Sequence, residues 1–269
     1  MGSTSPGFTA FHRGGTGPPL VCLHGFLDTW RTWELVLPYL EQRHDVFAPT
    51  LPGHAGGPPL PDPAGVDGIL DALERELDAS GIEVPHLVGN SLGGYLALRL
   101  AARGRAASVV ALAPAGGWAS GDRAMAALLG RQRDVHEQAR AAAPNADAIA
   151  SSLEGRRLAT RLIVSRCEHL PAELVAHQIR GVAACSAAGR LIDGALTAAW
   201  SLDAEGITCP VRVIWGTDDL LLRWPSAAKR FTDDWLPHAD WVVLDGVGHC
   251  PQLDVPLSTA QLILGLAAV

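Results

Sequence analysis

Short apolar runs alternate along this chain with longer stretches in which apolar residues recur every three or four positions. Strands are expected at residues 8–13, 19–23, 45–48, 86–88, 107–112, 211–215 and 241–244. The turn Gly14-Gly15-Thr16-Gly17 closes the first of them. Helical spacing appears at residues 30–42, through Trp30, Trp33, Leu37 and Leu40, and at 66–80, through Ile69, Leu70, Leu73 and Leu77. Further helices are expected at 92–103, near 225–231 and from Pro256 onward. Strands separated by helices predict an α/β fold with a mostly parallel, twisted sheet flanked by helices. From about residue 115 to 205 the alternation stops, and an Ala- and Arg-rich segment offers helices without a strand. Residues 116–205 are therefore expected to form a helical cap inserted between core strands of one domain spanning 1–269.

Composition narrows the function classes. With 269 residues, 48% of them hydrophobic, the chain can bury one large core. A net charge of -7 leaves no basic face for nucleic acid or anionic lipid. The five cysteines (Cys22, Cys167, Cys185, Cys209, Cys250) are scattered without CxxC spacing, which fits reduced thiols rather than zinc or a disulfide framework. Residues 1–6 lack a basic region followed by an apolar stretch, so no secretory signal is read. No apolar run reaches the roughly 18 residues that span a bilayer. These features predict a cytoplasmic protein whose partner is a small-molecule substrate, with neither nucleic acid nor membrane; the oligomeric state stays open.

Gly89-Asn90-Ser91-Leu92-Gly93 matches G-x-S-x-G, and it lies between an apolar strand and a helix, as that motif requires. A sharp strand-to-helix turn lifts the serine hydroxyl clear of the sheet edge and strains its backbone. Side chains at Gly89 and Gly93 would collide with the neighbouring strand and helix. The Leu92 N–H opens the new helix, where unpaired donors and the helix dipole favour an anion. Downstream, Val213-Ile214-Trp215-Gly216-Thr217-Asp218-Asp219 places carboxylates just beyond a strand, and Gly246-Val247-Gly248-His249 places a histidine beyond the next. Catalytic groups gather at such strand ends, and the order Ser, Asp, His is that of one hydrolase fold.

On these motifs the sequence resembles the α/β-hydrolase fold family, in its serine hydrolase branch, over essentially its whole length. His24-Gly25-Phe26 is similar to the family's oxyanion loop, and Pro49-Thr50-Leu51-Pro52-Gly53-His54 to the loop after the following strand. The resemblance implies Ser91 as nucleophile, His249 as base and acid, and Asp219 as the carboxylate that orients it. It implies backbone N–H groups of Phe26 and Leu92 as the oxyanion hole. Asp218 is the rival carboxylate; Asp219 is preferred because the family's acid usually stands third after the glycine of Trp-Gly. The implied reaction is hydrolysis of a carboxylic ester of a small, largely apolar molecule through an acyl-enzyme.

Other readings compete. Asn90-Ser91-Leu92-Gly93-Gly94 is similar to the nucleophile region of C–C bond hydrolases acting on β-diketone or meta-cleavage-product substrates. Against it, the oxyanion loop reads Gly25-Phe26-Leu27-Asp28 and His249 is followed by Cys250. Epoxide hydrolases of this fold use an aspartate where this chain has Ser91. A non-hydrolytic receptor of the same fold is the reading outside enzymology. His136-Glu137 fails the zinc-protease motif, and Cys167-Glu168-His169 reads as a partly exposed helix rather than a metal site. No cofactor and no metal are implied. His24 is expected to be a structural hydrogen-bonding residue and Cys250 small packing. Trp30 and Trp118 are core or pocket, and Arg156, Arg157 and Arg161 are a solvated helix face or a carboxylate site.

Overall fold

The computed structural model describes residues 7–62, 65–118 and 122–267. Residues 1–6, where no secretory signal is expected, lie outside these. Seven strands form one sheet: β1 (Phe11–Gly14), β2 (Pro19–Leu23), β3 (Asp45–Pro49), β4 (His86–Asn90), β5 (Ser108–Leu112), β6 (Val211–Gly216) and β7 (Asp240–Leu244). Their spatial order is β1-β3-β2-β4-β5-β6-β7, with β1 antiparallel to β3 and every other pairing parallel. The sheet is thus mostly parallel, as the alternation of elements predicts. The interior strand β5 is buried at every position, which is why it reads as a continuous apolar run instead of alternating.

Helices cover both faces. α1 (Leu37–Leu40) precedes β3, α2 (Val66–Ala79) precedes β4, and α3 (Leu92–Ala102) follows β4. α2 and α3 bury Ile69, Leu73, Leu96 and Leu100 against Val21, Leu87, Val109 and Val213 of the sheet. After β7 come α9 (Pro251–Asp254) and α10 (Pro256–Ala267). On the opposite face Leu37, Leu40, Ala260 and Ile263 pack on Leu20, Cys22, Val110 and Ile214. Two expected helices take another form. Residues 30–42 make a 3-10 turn, Trp30–Trp33, and then only the single turn of α1. Residues 225–228 are turns, and the helical residues 229–230 run straight into a π-helical turn, Phe231–Trp235. In both segments the apolar spacing records burial rather than a continuous helix, as buried Trp33, Leu37 and Leu40, and buried Phe231, show.

Between β5 and β6 the described residues hold helices and no strand: α4 (Arg123–Ala142), α5 (Ala146–Ser151), α6 (Leu153–Thr160), α7 (Ala172–Ala183) and α8 (Ala188–Thr197). Two small cores hold this excursion together. Leu174, Val175 and Ala176 of α7 pack with Ala146 and Ala150 of α5 in one. Met125 and Leu129 of α4 pack with Ile192, Trp200 and Tyr95 in the other. Among the described residues no helix is long and apolar enough to cross a membrane.

The crossing from β4 into α3 is the tightest place in the fold. Ser91 sits between them at φ 55 and ψ -115, a conformation that β-carbon-bearing residues seldom adopt. Its backbone is pinned on both sides: the Ser91 N–H donates to Leu112 O (2.9 Å), and its carbonyl accepts from Tyr95 N (3.1 Å) and Ala115 N (3.0 Å). A Cβ on Gly89 would lie 2.2 Å from Gly93 O, and one on Gly93 2.1 Å from Leu23 O. Both obstacles are backbone, which has little room to yield. Gly93→Ala is therefore expected to destabilise the fold by about 3 kcal/mol or more. Gly130→Ala, on an exposed stretch of α4 where an added Cβ meets nothing within 4 Å, should stabilise by roughly 0.5–1 kcal/mol. Urea unfolding of the two variants checks both signs.

Candidate active site

The strand ends bring the sequence-predicted residues to one place. His249 and Asp219, on the loops after β7 and β6, are both buried. The His249 Nδ1–H donates to Asp219 Oδ2 at 2.7 Å. The other carboxylate oxygen accepts from the N–H groups of Leu221 (2.8 Å) and Leu222 (2.7 Å). Three donors thus fix the plane of this carboxylate. With the proton on Nδ1, Nε2 carries the lone pair, the arrangement a general base needs. Asp218 points away, exposed, and accepts from the Thr217 hydroxyl.

Ser91 and His249 line the same two cavities. The smaller, of about 70 Å³, is walled by Phe26, Leu128, Leu129, Trp118 and Trp200. The larger, of about 370 Å³, reaches under α4 and α7 and is bounded by Asp28, Gln132, Gln178 and Cys250, among apolar neighbours. Trp118 is therefore a pocket residue. Trp30 lines neither cavity; it packs against the core on the other face of the sheet, and its Nε1–H donates to the Thr9 hydroxyl. Phe26 borders both cavities.

The loop after β2 passes across Ser91: a Cβ on Gly25 would lie 3.3 Å from Ser91 Cβ. His24 fixes that loop. Its Nδ1–H donates to Gly25 O (2.7 Å) while Nε2 accepts from the Leu51 N–H (2.8 Å), so one neutral tautomer serves both bonds. Burial, with His54 beside it, holds the His24 imidazole well below its ordinary pKa. The Phe26 N–H follows directly on this loop, and the Leu92 N–H is the first of α3.

Several supporting residues carry no motif. The Asn90 amide donates to His249 O (2.9 Å) and Leu112 O (3.2 Å), and its Oδ1 accepts from the Cys250 thiol (3.2 Å) and Gln252 Nε2 (3.3 Å). Gln252 reaches on to the Thr32 hydroxyl at 3.1 Å. Asp254 accepts from the N–H groups of Gly248 (2.7 Å), Ser165 (2.9 Å) and Arg166 (3.0 Å), tying the histidine loop to the helical excursion. A carboxylate five residues after His249 is a signal the sequence offered; the partners of Asn90 are not.

The remaining candidates fall elsewhere. Residues 167–169 form a turn between α6 and α7 instead of the expected helix: Cys167 is drawn into the α5–α7 core, and His169 Nε2 donates to Leu253 O at 2.6 Å. Among the described residues no group of three or more His, Cys, Asp or Glu is placed to hold a metal ion. Arg156 donates to Ala150 O and Arg157 faces Glu154 and Glu168, whereas Arg161 stands exposed on the rim of the larger cavity. The Cys250 thiol is buried, which pushes its pKa well above the ordinary thiol value.

Comparison with known proteins is consistent across sequence and structure. A family model described as the alpha/beta hydrolase fold matches residues 18–256. Epoxide hydrolase EphH of Mycobacterium tuberculosis is 33% identical over 205 residues, covering 72% of this chain and 91% of that protein. The pimeloyl-[acyl-carrier protein] methyl ester esterase of Aromatoleum aromaticum is 30% identical over 272 residues, covering 91% and 96%. A thermophilic esterase from Thermogutta terrifontis superposes with a TM-score of 0.72 at 22% identity, covering 95% of this chain and 91% of that one.

The buried histidines set the acid limit of the fold. Burial lowers His54 to about 4 and, with Arg31 and Arg180 nearby, His177 to about 4; His24 is lowered as well. Each folded-state value lies below the ordinary one of about 6.5, so the unfolded chain takes up protons first. Their stabilisation is complete above about pH 6.5 and is lost as pH falls towards 4, on the order of 2 kcal/mol at pH 5 for His54 alone. Asp28, raised by burial to about 6, opposes the trend over part of that range. Chemical denaturation should give a lower midpoint at pH 5 than at pH 7, and a smaller drop in His54→Gln.

Proposed function

The chain belongs to the α/β-hydrolase fold family, and within it we propose that it is a serine hydrolase cleaving a carboxylic ester of a small molecule. The observation that carries this reading is the buried His249–Asp219 pair facing the cavities that Ser91 lines. His249 Nε2 takes the Ser91 proton and Ser91 Oγ attacks the ester carbonyl. The tetrahedral oxyanion is held by the N–H groups of Phe26 and Leu92, each such donor being worth roughly 10²–10³ in rate. Collapse breaks the C–O bond, His249 hands its proton to the leaving alkoxide, and an acyl-enzyme remains. Water activated by the same imidazole then releases the acid. The helical excursion acts as a cap that keeps bulk water from the site. Two cavities of unequal size suit an ester with a compact apolar group on one side and a larger, partly polar group on the other. We place this activity in the cytoplasm.

Epoxide opening, the activity named for the mycobacterial relative, fits poorly on chemical grounds. A carboxylate nucleophile opens an epoxide to an ester, which water can cleave. A serine would form an ether, which it cannot. C–C bond hydrolysis is the second reading, favoured by Asn90-Ser91-Leu92-Gly93-Gly94.

Steady-state kinetics on p-nitrophenyl esters of rising chain length test the assignment. Ser91→Ala should abolish turnover, and Asp219→Asn should lower kcat about 10⁴-fold through the wrong imidazole tautomer. Asp218→Asn should stay within about threefold of the parent, because that side chain faces solvent. Equal losses at Asp218 and Asp219 would contradict the triad.

A further inference from the structure

The larger cavity is apolar over most of its wall, through residues such as Val135, Ile149, Val175 and Ile179. Away from Ser91 and His249 the polar side chains on that wall include Gln132, Gln138 and Thr160, and two others bear on recognition. Gln178, on α7, is 9% exposed, and neither its amide nitrogen nor its amide oxygen has a partner among the described residues. Asp28, on the loop that crosses Ser91, is half-buried and lines the same cavity. One of its oxygens accepts from the Thr29 N–H at 2.8 Å. The two stand on elements in direct contact: the Thr29 hydroxyl and His177 Nε2 lie 3.0 Å apart, joining the residues next to Asp28 and Gln178.

An amide buried without partners costs about 1–3 kcal/mol, and a leucine of similar size would remove that cost. Such violations of local consistency concentrate where a protein binds something. The lining also says what kind of group. Asp28 can only accept when ionised, and Gln178 both donates and accepts. Together they suit a neutral group with an O–H donor and repel an anion. Among the described residues the cavity's one guanidinium, on Arg161, stands exposed at its rim.

We propose that Asp28 and Gln178 recognise an uncharged hydroxyl on the part of the substrate that occupies the larger cavity, making the preferred substrate a hydroxylated ester. The placement of that substrate rests on the serine hydrolase reading. A site built to pair with a hydroxyl discriminates strongly against the analogue lacking it, because its own polar groups are then left unpaired.

The test uses matched esters: p-nitrophenyl hexanoate against its ω-hydroxy analogue, and hexyl acetate against ω-hydroxyhexyl acetate, so that either side of the ester is covered. The parent enzyme should prefer the hydroxylated member of at least one pair by tenfold or more in kcat/KM. In Gln178→Leu that ratio should collapse by about tenfold while the melting temperature rises, since the unpaired amide is gone. Gln178→Met serves as a second, more flexible replacement, and Asp28→Asn should reduce the ratio while keeping the bond from Thr29. No preference in either pair, or a lower melting temperature in both Gln178 variants with the ratio intact, would overturn the proposal. Should the parent hydrolyse none of the four, the serine hydrolase reading fails separately. Tryptophan fluorescence then decides with hexanediol and hexanol: tenfold tighter diol binding, lost in Gln178→Leu, upholds the recognition pair, and equal binding refutes it.

Discussion

Where β4 turns into α3, backbone lies directly on backbone, and the placement of Ser91 beside the loop after β2 follows from that contact. The space for a Cβ at Gly93 is filled by the carbonyls of Leu23 and His24. The start of α3 is thereby pressed against the end of β2, so the loop that leaves β2 begins beside Ser91. The segment that carries the Phe26 N–H and the one that opens with the Leu92 N–H, the donors proposed for an oxyanion, are brought together by the same close approach. The strained serine is the consequence of so abrupt a turn, and the hydrogen bonds to Leu112, Tyr95 and Ala115 hold it there.

A chain of polar side chains joins the loops that carry the site. Asn90 binds the carbonyl of His249, Gln252 binds Asn90 and Thr32, and Asp254 gathers three N–H groups. Reactive groups that ride on loops need such fixing, because sheet hydrogen bonds stop where the strands end. In this low-dielectric setting each satisfied bond counts for more, and each unsatisfied atom costs more. Gln178 stands out against that background: the network nearest the nucleophile is largely paired, while the amide on the cavity wall is not.

Much of this arrangement was legible in the order of residues. Buried parallel strands announce themselves as apolar runs, and α2 shows its buried face through Ile69, Leu70, Leu73 and Leu77. The nucleophile turn is local, so Gly89 and Gly93 betray it. Residues 30–42 misled because the same apolar spacing arises when a 3-10 turn and a single helical turn share one buried face. The segment at 225–231 misled in the same way, with Phe231 seated in the core at the start of a π-helical turn. The polar network could not be read at all. Asn90 meets Gln252 across 162 residues and His249 across 159, and no local pattern reports a pairing that only the assembled sheet creates. The same holds for Asp28 and Gln178, whose shared cavity exists only once α7 is laid over the loop after β2.

The most direct measurement of the central claim is intact mass after exposure to a fluorophosphonate, with Ser91→Ala alongside. An activated serine between His249 and the two backbone donors predicts a single adduct in the parent, mapping to Ser91, and none in the variant. A folded parent that remains unmodified, or an adduct that persists in Ser91→Ala, would contradict it.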